Sequence, residues 1–307
     1  MSALKDTSSL PDPKCSQFWS DDNGYDKKGV RVMALVKDDS YHRIREFTVT
    51  TNLKLATYGG NYDAKNKEII GNDLQEVTIL KHAKKYGLSS PEDFALSLTK
   101  HFLDTYPDLE ETHVRVEENP WERLGQHSYA FSLTSTVKHF CDVVRNRNDP
   151  EPFVISGIHG LRVMKTAQSP FVDNVKARFH TEGDQKDRIM CADVFAKWQY
   201  WTVDNVDFTR NWHQIKDLIL QVFTEMTTTS IQSISYKIEK LVLNKIEQIS
   251  SIAITLPNTR YPECNFSRFE ELETNIDNLS IYQPTEKTKE IEYSNLDQLL
   301  CGIKSKM

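Results

Sequence analysis

The feature that most restricts the fold of this chain occurs twice: short strands with alternating apolar residues, then two amphipathic helices, then further strands. In the first copy, residues 30–36 alternate as on one face of a strand, and residues 44–51 have the pattern of its partner. Two more strands are expected at 112–121 and 127–140, on either side of a polar turn around Gly125. The repetition predicts an internal duplication.

Apolar residues at helical spacing predict two pairs of helices. In the first copy one helix is expected near residues 74–86, and the next begins at Ser90, which caps the helix and is followed by Pro91 in the first turn. The second copy is expected to follow the same order, with strands at 160–165 and 191–201, helices at 208–223 and 231–249, and a strand at 252–256. The two copies meet in the charged stretch 146–152.

The composition excludes several classes of protein. Hydrophobic residues make up 38% and charged residues 27%, which fits neither a disordered nor a fibrous chain. No run of 18 apolar residues is present and residues 1–13 are polar, so neither membrane spans nor secretion are expected. Five scattered cysteines without a CxxC pair argue against disulfides and structural zinc. The net charge of -6 makes nucleic acid a poor candidate partner.

Three stretches of the chain resemble the urate oxidase (uricase) family. Residues 25–32 (YDKKGVRV) are similar to the family's Tyr-Gly-Lys followed by Val-Arg-Val. Residues 156–198 hold the longest match, with Ser-Gly at the start and Asp-Arg-Ile at 187–189. The third match joins residues 230–232 (SIQ) to 256–261 (LPNTRY), where the family has Val-Gln and Leu-Pro-Asn-x-His-Tyr. With weaker matches between them, the resemblance covers roughly residues 25–284.

The resemblance implies an α+β fold of two tandem T-fold modules, each an antiparallel sheet with a helix pair on one face. The expected division is an N-terminal extension (1–24), a first module (25–148), a second module (149–284) and a C-terminal tail (285–307). The family assembles as a homotetramer whose sheets form a tunnel. It oxidises urate with dioxygen and water to 5-hydroxyisourate and hydrogen peroxide, with no cofactor and no metal, so urate or a related purine and dioxygen are the expected partners.

The residues that match the family's substrate-binding positions suit a planar purine anion. Arg188 would present a guanidinium fork to a carbonyl and a ring nitrogen, which the point charge of a lysine cannot do. Gln232 and the backbone N–H of Ile231 would bind the opposite edge. Phe171 would stack on the ring, and Asn258 would hold water or dioxygen above it. Outside the matching stretches, these residue types would more often be a surface ion pair, a helix cap, core and a turn.

The residues at the family's proton-handling positions are only partly retained. The family's lysine is present as Lys27, a possible base, but its threonine is Asn72 and its histidine is Arg260. An amide cannot pass a proton as a hydroxyl can, and a guanidinium stays protonated and accepts nothing. Asp73 is retained beside Asn72, and in the family this pair reaches the site of a neighbouring subunit. Because a fixed cation near Lys27 would favour its neutral form, a single-base mechanism stays open.

Three functions therefore remain as alternatives. The retained binding set favours a urate oxidase, whereas Asn72 and Arg260 favour a uricase-like purine-binding or structural subunit with impaired turnover. A T-fold enzyme acting on a pteridine would ordinarily need zinc ligands, which the sequence does not show. The C-terminal Ser305-Lys306-Met307 resembles a peroxisomal address, and would bind the peroxisomal import receptor.

Overall fold

The helices and strands follow one order in both halves of the chain. The structure is a computed structural model that describes residues 24–38, 41–55, 70–149, 151–167, 189–227, 230–264, 279–285 and 304–305. The first half contains β1 (Gly24–Lys37), β2 (His42–Leu55), α1 (Asn72–Tyr86), α2 (Pro91–Thr105), β3 (Leu109–Asn119), β4 (Glu122–Arg123), β5 (Phe131–Ser132) and β6 (Lys138–Asn146). The second contains β7 (Phe153–Lys165), β8 (Met190–Tyr200), α3 (Phe208–Glu225), α4 (Ile231–Lys245), β9 (Ile249–Thr255), β10 (Asn258–Thr259) and β11 (Lys304–Ser305). The α+β class and the duplicated order are confirmed.

One antiparallel sheet runs through both halves in the order β1-β2-β3-β6-β7-β8-β9-β11, with β10 also paired to β8. The expected hairpin is confirmed, because β1 and β2 pair with Val32 opposite Phe47. The halves join where β6 pairs with β7, with Cys141 opposite Ser156. As a result β1 forms one edge of the sheet, while β8, β9 and β10 lie toward the other.

The helices pack on one face of this sheet and form the core with it. Successive strand residues point to opposite faces, so Val114 and Val116 of β3 enter the core while Arg115 does not. Helix α2 begins as expected: the Ser90 hydroxyl accepts from the N–H of Asp93 at 3.0 Å. Each fully buried apolar side chain of such a helix stabilises the fold by about 1.5–3 kcal/mol.

Buried polar contacts tie the two halves together beneath the helices. Glu92 at the start of α2 is fully buried, and its Oε1 lies 2.7 Å from Nε2 of His139 on β6. The ring of His139 stacks on Trp212 of α3, whose Nε1 donates to the carbonyl oxygen of Gly157 at 3.1 Å. A Cβ at Gly157 would lie 2.2 Å from the Phe140 ring, so no larger residue fits there without rearrangement. The Ser-Gly motif therefore has a packing role.

The face of the sheet away from the helices carries paired charges. Arg115 donates to Asp142 at 3.1 Å, and Arg115 and His113 outweigh the burial of Asp142 and lower its pKa. The His159 side chain lowers the pKa of Glu117 to about 2, and Arg115 adds to this effect. The carboxylates of Asp142 and Glu117 are therefore ionised at neutral pH, and this face of the sheet is polar.

Two boundaries differ from the sequence-based expectation. The strand expected at 127–140 is wrong in its first part: only Phe131–Ser132 pairs, with β4, and the next strand begins at Lys138. The Arg123 guanidinium binds the carbonyl oxygen of His127 at 2.7 Å and folds this segment into a small hairpin. The helix expected to reach residue 249 ends at Lys245, because Ile249 pairs with Tyr200 in the sheet instead.

Within the described ranges, no helix has the length and apolar character to cross a membrane.

Candidate functional site

A β-bulge turns Lys27 toward the helices. Lys27 lies opposite Thr51 of β2, but the register shifts before Val30, so β1 holds one extra residue between them. Gly29 lies in this bulge with a φ of 70°, a conformation that glycine adopts without strain. Because one extra residue exchanges the faces of a strand, Lys27 points to the helix side with Thr51, and not to the opposite side with Arg31.

The first turn of α1 is fixed against the same strands by Gln75. This fully buried residue accepts a hydrogen bond from the Thr51 hydroxyl at 2.7 Å and donates to the carbonyl oxygen of Tyr25 at 3.4 Å. The bonds join α1 to β2 and β1 beside Lys27. Asn72 and Asp73 begin the helix and are both exposed. The structure therefore places Asn72 and Asp73 near the same edge of the sheet as Lys27.

Lys27 forms an ion pair that the sequence analysis did not identify. Its Nζ lies 2.7 Å from Oε2 of Glu76, the next residue of α1 after Gln75. The Lys27 side chain is only 22% exposed, whereas that of the neighbouring Lys28 is 67% exposed. Glu76 follows Asn72 by four residues, so both side chains lie on one side of the helix. We call Lys27, Asn72, Asp73 and Glu76 the first half-site.

The beginning of α4 presents Ile231 and Gln232. Ser230 occupies the capping position, yet its hydroxyl makes no capping bond and instead donates to Oε1 of Gln232 at 2.7 Å. This bond fixes the orientation of the amide, so that Nε2 can donate outward. The backbone N–H groups of Ile231 and Gln232 belong to the open first turn of the helix, where anions bind favourably. Ile231 itself packs against the core.

A groove of about 660 Å³ runs along the exposed side of α4 from Gln232. Its lining includes Tyr236, Lys237 and Lys240. Positive charge beside Gln232 attracts small anions in a chain whose net charge is -6. The groove therefore places two basic residues on the exposed side of α4, next to Gln232.

Asn258 and Arg260 lie where the chain leaves β9. Asn258 pairs with Ala192 of β8, and the carbonyl oxygen of Arg260 accepts from the N–H of Thr285 at 2.9 Å. Both Asn258 and Arg260 are exposed. A guanidinium donates hydrogen bonds but accepts no proton, so Arg260 can hold an anion or a polarised oxygen but cannot exchange protons with it.

The start of α4 and the end of β9 lie at the same end of the second half. Helix α4 has fifteen residues and β9 seven, so they extend roughly 22 Å and 24 Å respectively. They run in opposite directions from the turn that joins them and pack together. Ile231, Gln232, Asn258 and Arg260 form what we call the second half-site. Phe171 and Arg188, which were predicted to complete it, lie outside the described residues.

The two half-sites lie near opposite edges of the sheet. Lys27 is on β1, and Asn258 is on β10, about six strand spacings away in the strand order. At about 4.8 Å for each spacing, they are separated by roughly 29 Å along the sheet. A small molecule cannot contact both half-sites of one chain. The arrangement therefore requires a second copy if both half-sites are to act on one ligand.

Comparison with known proteins identifies the family. The Uricase family model matches residues 23–144 and 154–290, which is most of both halves of the chain. The chain belongs to the uricase family. It is 38% identical to the uricase of Drosophila subobscura over 309 aligned residues, covering 91% of each chain. It is 35% identical to the uricase of Oryctolagus cuniculus over 254 residues, covering 80% of this chain and 84% of that one.

The fold of the family agrees with the structure. The crystal structure of uricase from Arthrobacter globiformis superposes with a TM-score of 0.75 at 25% identity, over 86% of this chain and 92% of that one. The family match spans both halves, and therefore includes Lys27 and Asn72 of the first half-site and Gln232, Asn258 and Arg260 of the second. Membership in the uricase family was the interpretation drawn from the sequence, and it is confirmed.

Two features of the site were missed in the sequence. Glu76 could have been found from helical spacing, since it lies one turn after Asn72 on a predicted helix. The orientation of Lys27 could not, because simple alternation from residue 30 places it on the wrong face. Only the glycine at position 29 indicates a break in the alternation.

Proposed function

We propose that this chain oxidises urate with dioxygen to 5-hydroxyisourate and hydrogen peroxide, at sites completed between neighbouring copies. The observation that carries the proposal is the family match across both halves of the chain. It includes Lys27 in the first half-site and Gln232 and Asn258 in the second. A purine anion needs donors on its edges and a base beside it. The two half-sites supply these from separate edges of the sheet.

The second half-site holds the substrate in this proposal. Gln232 Nε2 and the N–H of Ile231 donate to one edge of urate, and Arg188 binds the other edge with its guanidinium fork. Phe171 stacks on the ring, and Asn258 holds water or dioxygen above it. The lysines of the α4 groove raise the local concentration of the anion.

The first half-site of a neighbouring chain removes the proton. Urate is an anion at neutral pH and must lose a further proton before two electrons pass to dioxygen. Lys27 receives that proton, while Asn72 holds a water by its amide but does not pass a proton on. Arg260 occupies the position of the family's histidine, which could return protons to the reduced oxygen. A guanidinium stays protonated and cannot do so. We therefore expect turnover that is limited by proton return.

The separation of the half-sites supports assembly through the sheet edges. The modules 25–148 and 149–284 each contribute one half-site, and a closed homotetramer brings opposite edges together in a tunnel. A head-to-tail contact of this kind closes into a ring only with the correct rotation. The polar face of the sheet would line the interior of the tunnel.

Urate consumption tests the proposed activity directly. The purified protein, dialysed against a chelator, should remove the ultraviolet absorbance of urate while consuming one dioxygen and forming one hydrogen peroxide for each urate. Heat-unfolded protein is the control for oxidation by the solution alone. A native protein that binds urate without changing its absorbance would contradict the proposal, and would indicate a purine-binding subunit.

We further propose that Ser305-Lys306-Met307 directs the chain to peroxisomes. Targeting to peroxisomes through Ser305-Lys306-Met307 requires an extended, accessible tail. In the structure the backbone of Ser305 pairs with Ser251 in β11, and residues 306–307 lie outside the described residues. A strand of two residues makes few bonds and opens readily, so binding of an import receptor would compete with this pairing.

A further inference from the structure

The first half-site contains the carboxylate of Glu76 in contact with Lys27. A carboxylate can accept a proton, which neither Asn72 nor Arg260 can do in place of the family's threonine and histidine. Lys27 Nζ and Glu76 Oε2 are 2.7 Å apart, with Lys27 mostly covered and Glu76 about half exposed. The bulge before Val30 turns Lys27 toward this carboxylate, and the hydrogen bonds of Gln75 hold the adjacent turn of α1 in place. Two independent local features therefore create the contact.

We propose that Glu76 is a positioning residue that holds Lys27 and receives protons through it, so that the pair performs the proton abstraction from urate. This rests on the proposed function. The pair begins as ammonium and carboxylate. Lys27 passes one proton to Glu76, and its neutral amine then takes one proton from the urate anion. The pair now carries one additional proton, on the Glu76 carboxyl, and the urate dianion is ready to be oxidised.

The remaining steps return that proton. The urate dianion gives two electrons to dioxygen, forming peroxide dianion and a neutral dehydrogenated purine. Peroxide takes one proton from the pair and one from water, giving hydrogen peroxide and hydroxide. Hydroxide adds to the oxidised ring, which yields the anion of 5-hydroxyisourate. Urate anion, dioxygen and water are consumed, and the pair returns to its original state.

The surroundings of Lys27 direct its proton to Glu76. On β1, Asp26 and Lys28 lie 3.7 Å apart and pair with each other. Across β2, the residue facing Lys27 is the uncharged Thr51. On α1 the acidic residues of the first turns are Asp73 and Glu76, and Glu76 is the one that contacts Lys27. The ammonium of Lys27 and the carboxylate of Glu76 share a charge-assisted hydrogen bond, which is the path for the proposed proton transfer.

The substitution Glu76→Gln tests the inference because it keeps the shape and removes the proton acceptor. We expect kcat to fall by roughly 10- to 100-fold with KM changed less than about twofold, and Glu76→Asp to recover part of the loss. The pH dependence of kcat should also differ from that of the native protein, because the carboxylate in contact with Lys27 is removed. Glu122→Gln, an exposed glutamate in the β4–β5 hairpin, is the matched control and should behave as the native protein.

A second measurement makes the inference independent of turnover. In the urate-free native protein, acylation of Lys27 by an amine reagent, followed by peptide mass spectrometry, reports how available its amine is. Removing the carboxylate should raise this rate, because the amine loses the partner that contacts it, while the rate at Lys28 stays unchanged. Unchanged Lys27 reactivity in Glu76→Gln would show that the pair does not exist in solution. Increased reactivity with unchanged kcat would overturn the role in the reaction.

Failure of the proposed function is distinguishable from failure of this inference. If the native protein does not oxidise urate, the proposed function is wrong, and the role of Glu76 in the reaction is wrong with it. In that case the acylation rates still report whether the pair forms. If native protein turns over urate and Glu76→Gln retains its full rate, only the inference is overturned.

Discussion

Replacing Arg188 with alanine should nearly abolish urate binding. Truncating one partner of a buried, charge-paired contact costs roughly 2–5 kcal/mol, which corresponds to an affinity loss of about 30- to several thousand-fold. Arg188→Lys should recover little, because an ammonium cannot form the two parallel hydrogen bonds of a guanidinium. Calorimetric titration with urate under anaerobic conditions measures this without turnover.

The control for this prediction is a surface arginine. Arg43 is 68% exposed and lies 3.6 Å from the exposed Asp38, so Arg43→Ala should change urate affinity very little. If Arg188→Ala binds urate as tightly as the native protein, the assignment of the second half-site is wrong. If both variants lose affinity equally, the effect is long-range electrostatics and not a specific contact.

Rebuilding the proton-handling set should accelerate turnover. In the double variant Asn72→Thr with Arg260→His, a hydroxyl replaces the amide of the first half-site and a titrating imidazole replaces the guanidinium of the second. Positioned acid–base groups contribute about 10²–10⁴-fold, so we expect kcat to rise by about 10²-fold or more. The KM for urate should change little, because Arg188, Ile231 and Gln232, which bind the edges of urate in this proposal, are unaltered. Steady-state assays of urate loss measure both constants.

The single variants serve as controls for this gain. Asn72→Thr alone repairs the first half-site and Arg260→His alone repairs the second, so each should give less than the double variant. Because the two groups act on one proton path, the gains should be more than additive in free energy. A double variant that binds urate but gains no rate would contradict the view that proton return limits turnover.

Much of the fold was predictable because local pattern and tertiary structure agree. Ser90 and Pro91 start α2 as expected, since capping and the fixed φ of proline are local effects. The end of α4 was not predictable from spacing alone. Ile246 and Ile249 continue a helical pattern, but Ile249 pairs with Tyr200 in the sheet, and only the tertiary structure determines that. The short β4–β5 hairpin likewise depends on tertiary structure, because the Arg123 guanidinium also binds the carbonyl oxygen of the distant His42.

The site was predictable only where a family motif covers it. The motifs at 25–32, 230–232 and 256–261 gave Lys27, Gln232 and Asn258, but they gave no geometry. Glu76 lies in none of these motifs, and its contact with Lys27 depends on a bulge and on the packing of α1. The location of the two half-sites near opposite sheet edges follows from strand order, which no local pattern encodes.

Complementation between two inactive variants tests most directly whether the site is shared between chains. Lys27→Met removes the base of the first half-site, and Arg188→Ala removes the fork of the second. Each variant assembled alone should have almost no urate oxidase activity. In a random one-to-one coassembly, each half-site is native in half of the chains, so about a quarter of the sites combine two native halves.

The coassembled protein should therefore show roughly a quarter of the native activity per site, and separately assembled variants mixed without exchange should show none. Light scattering on the same samples establishes that the variants form oligomers of the same size. Recovery near a quarter would place Lys27 of one chain beside Arg188 of another. Coassemblies as inactive as their parents, alongside a native protein that oxidises urate, would contradict the shared site.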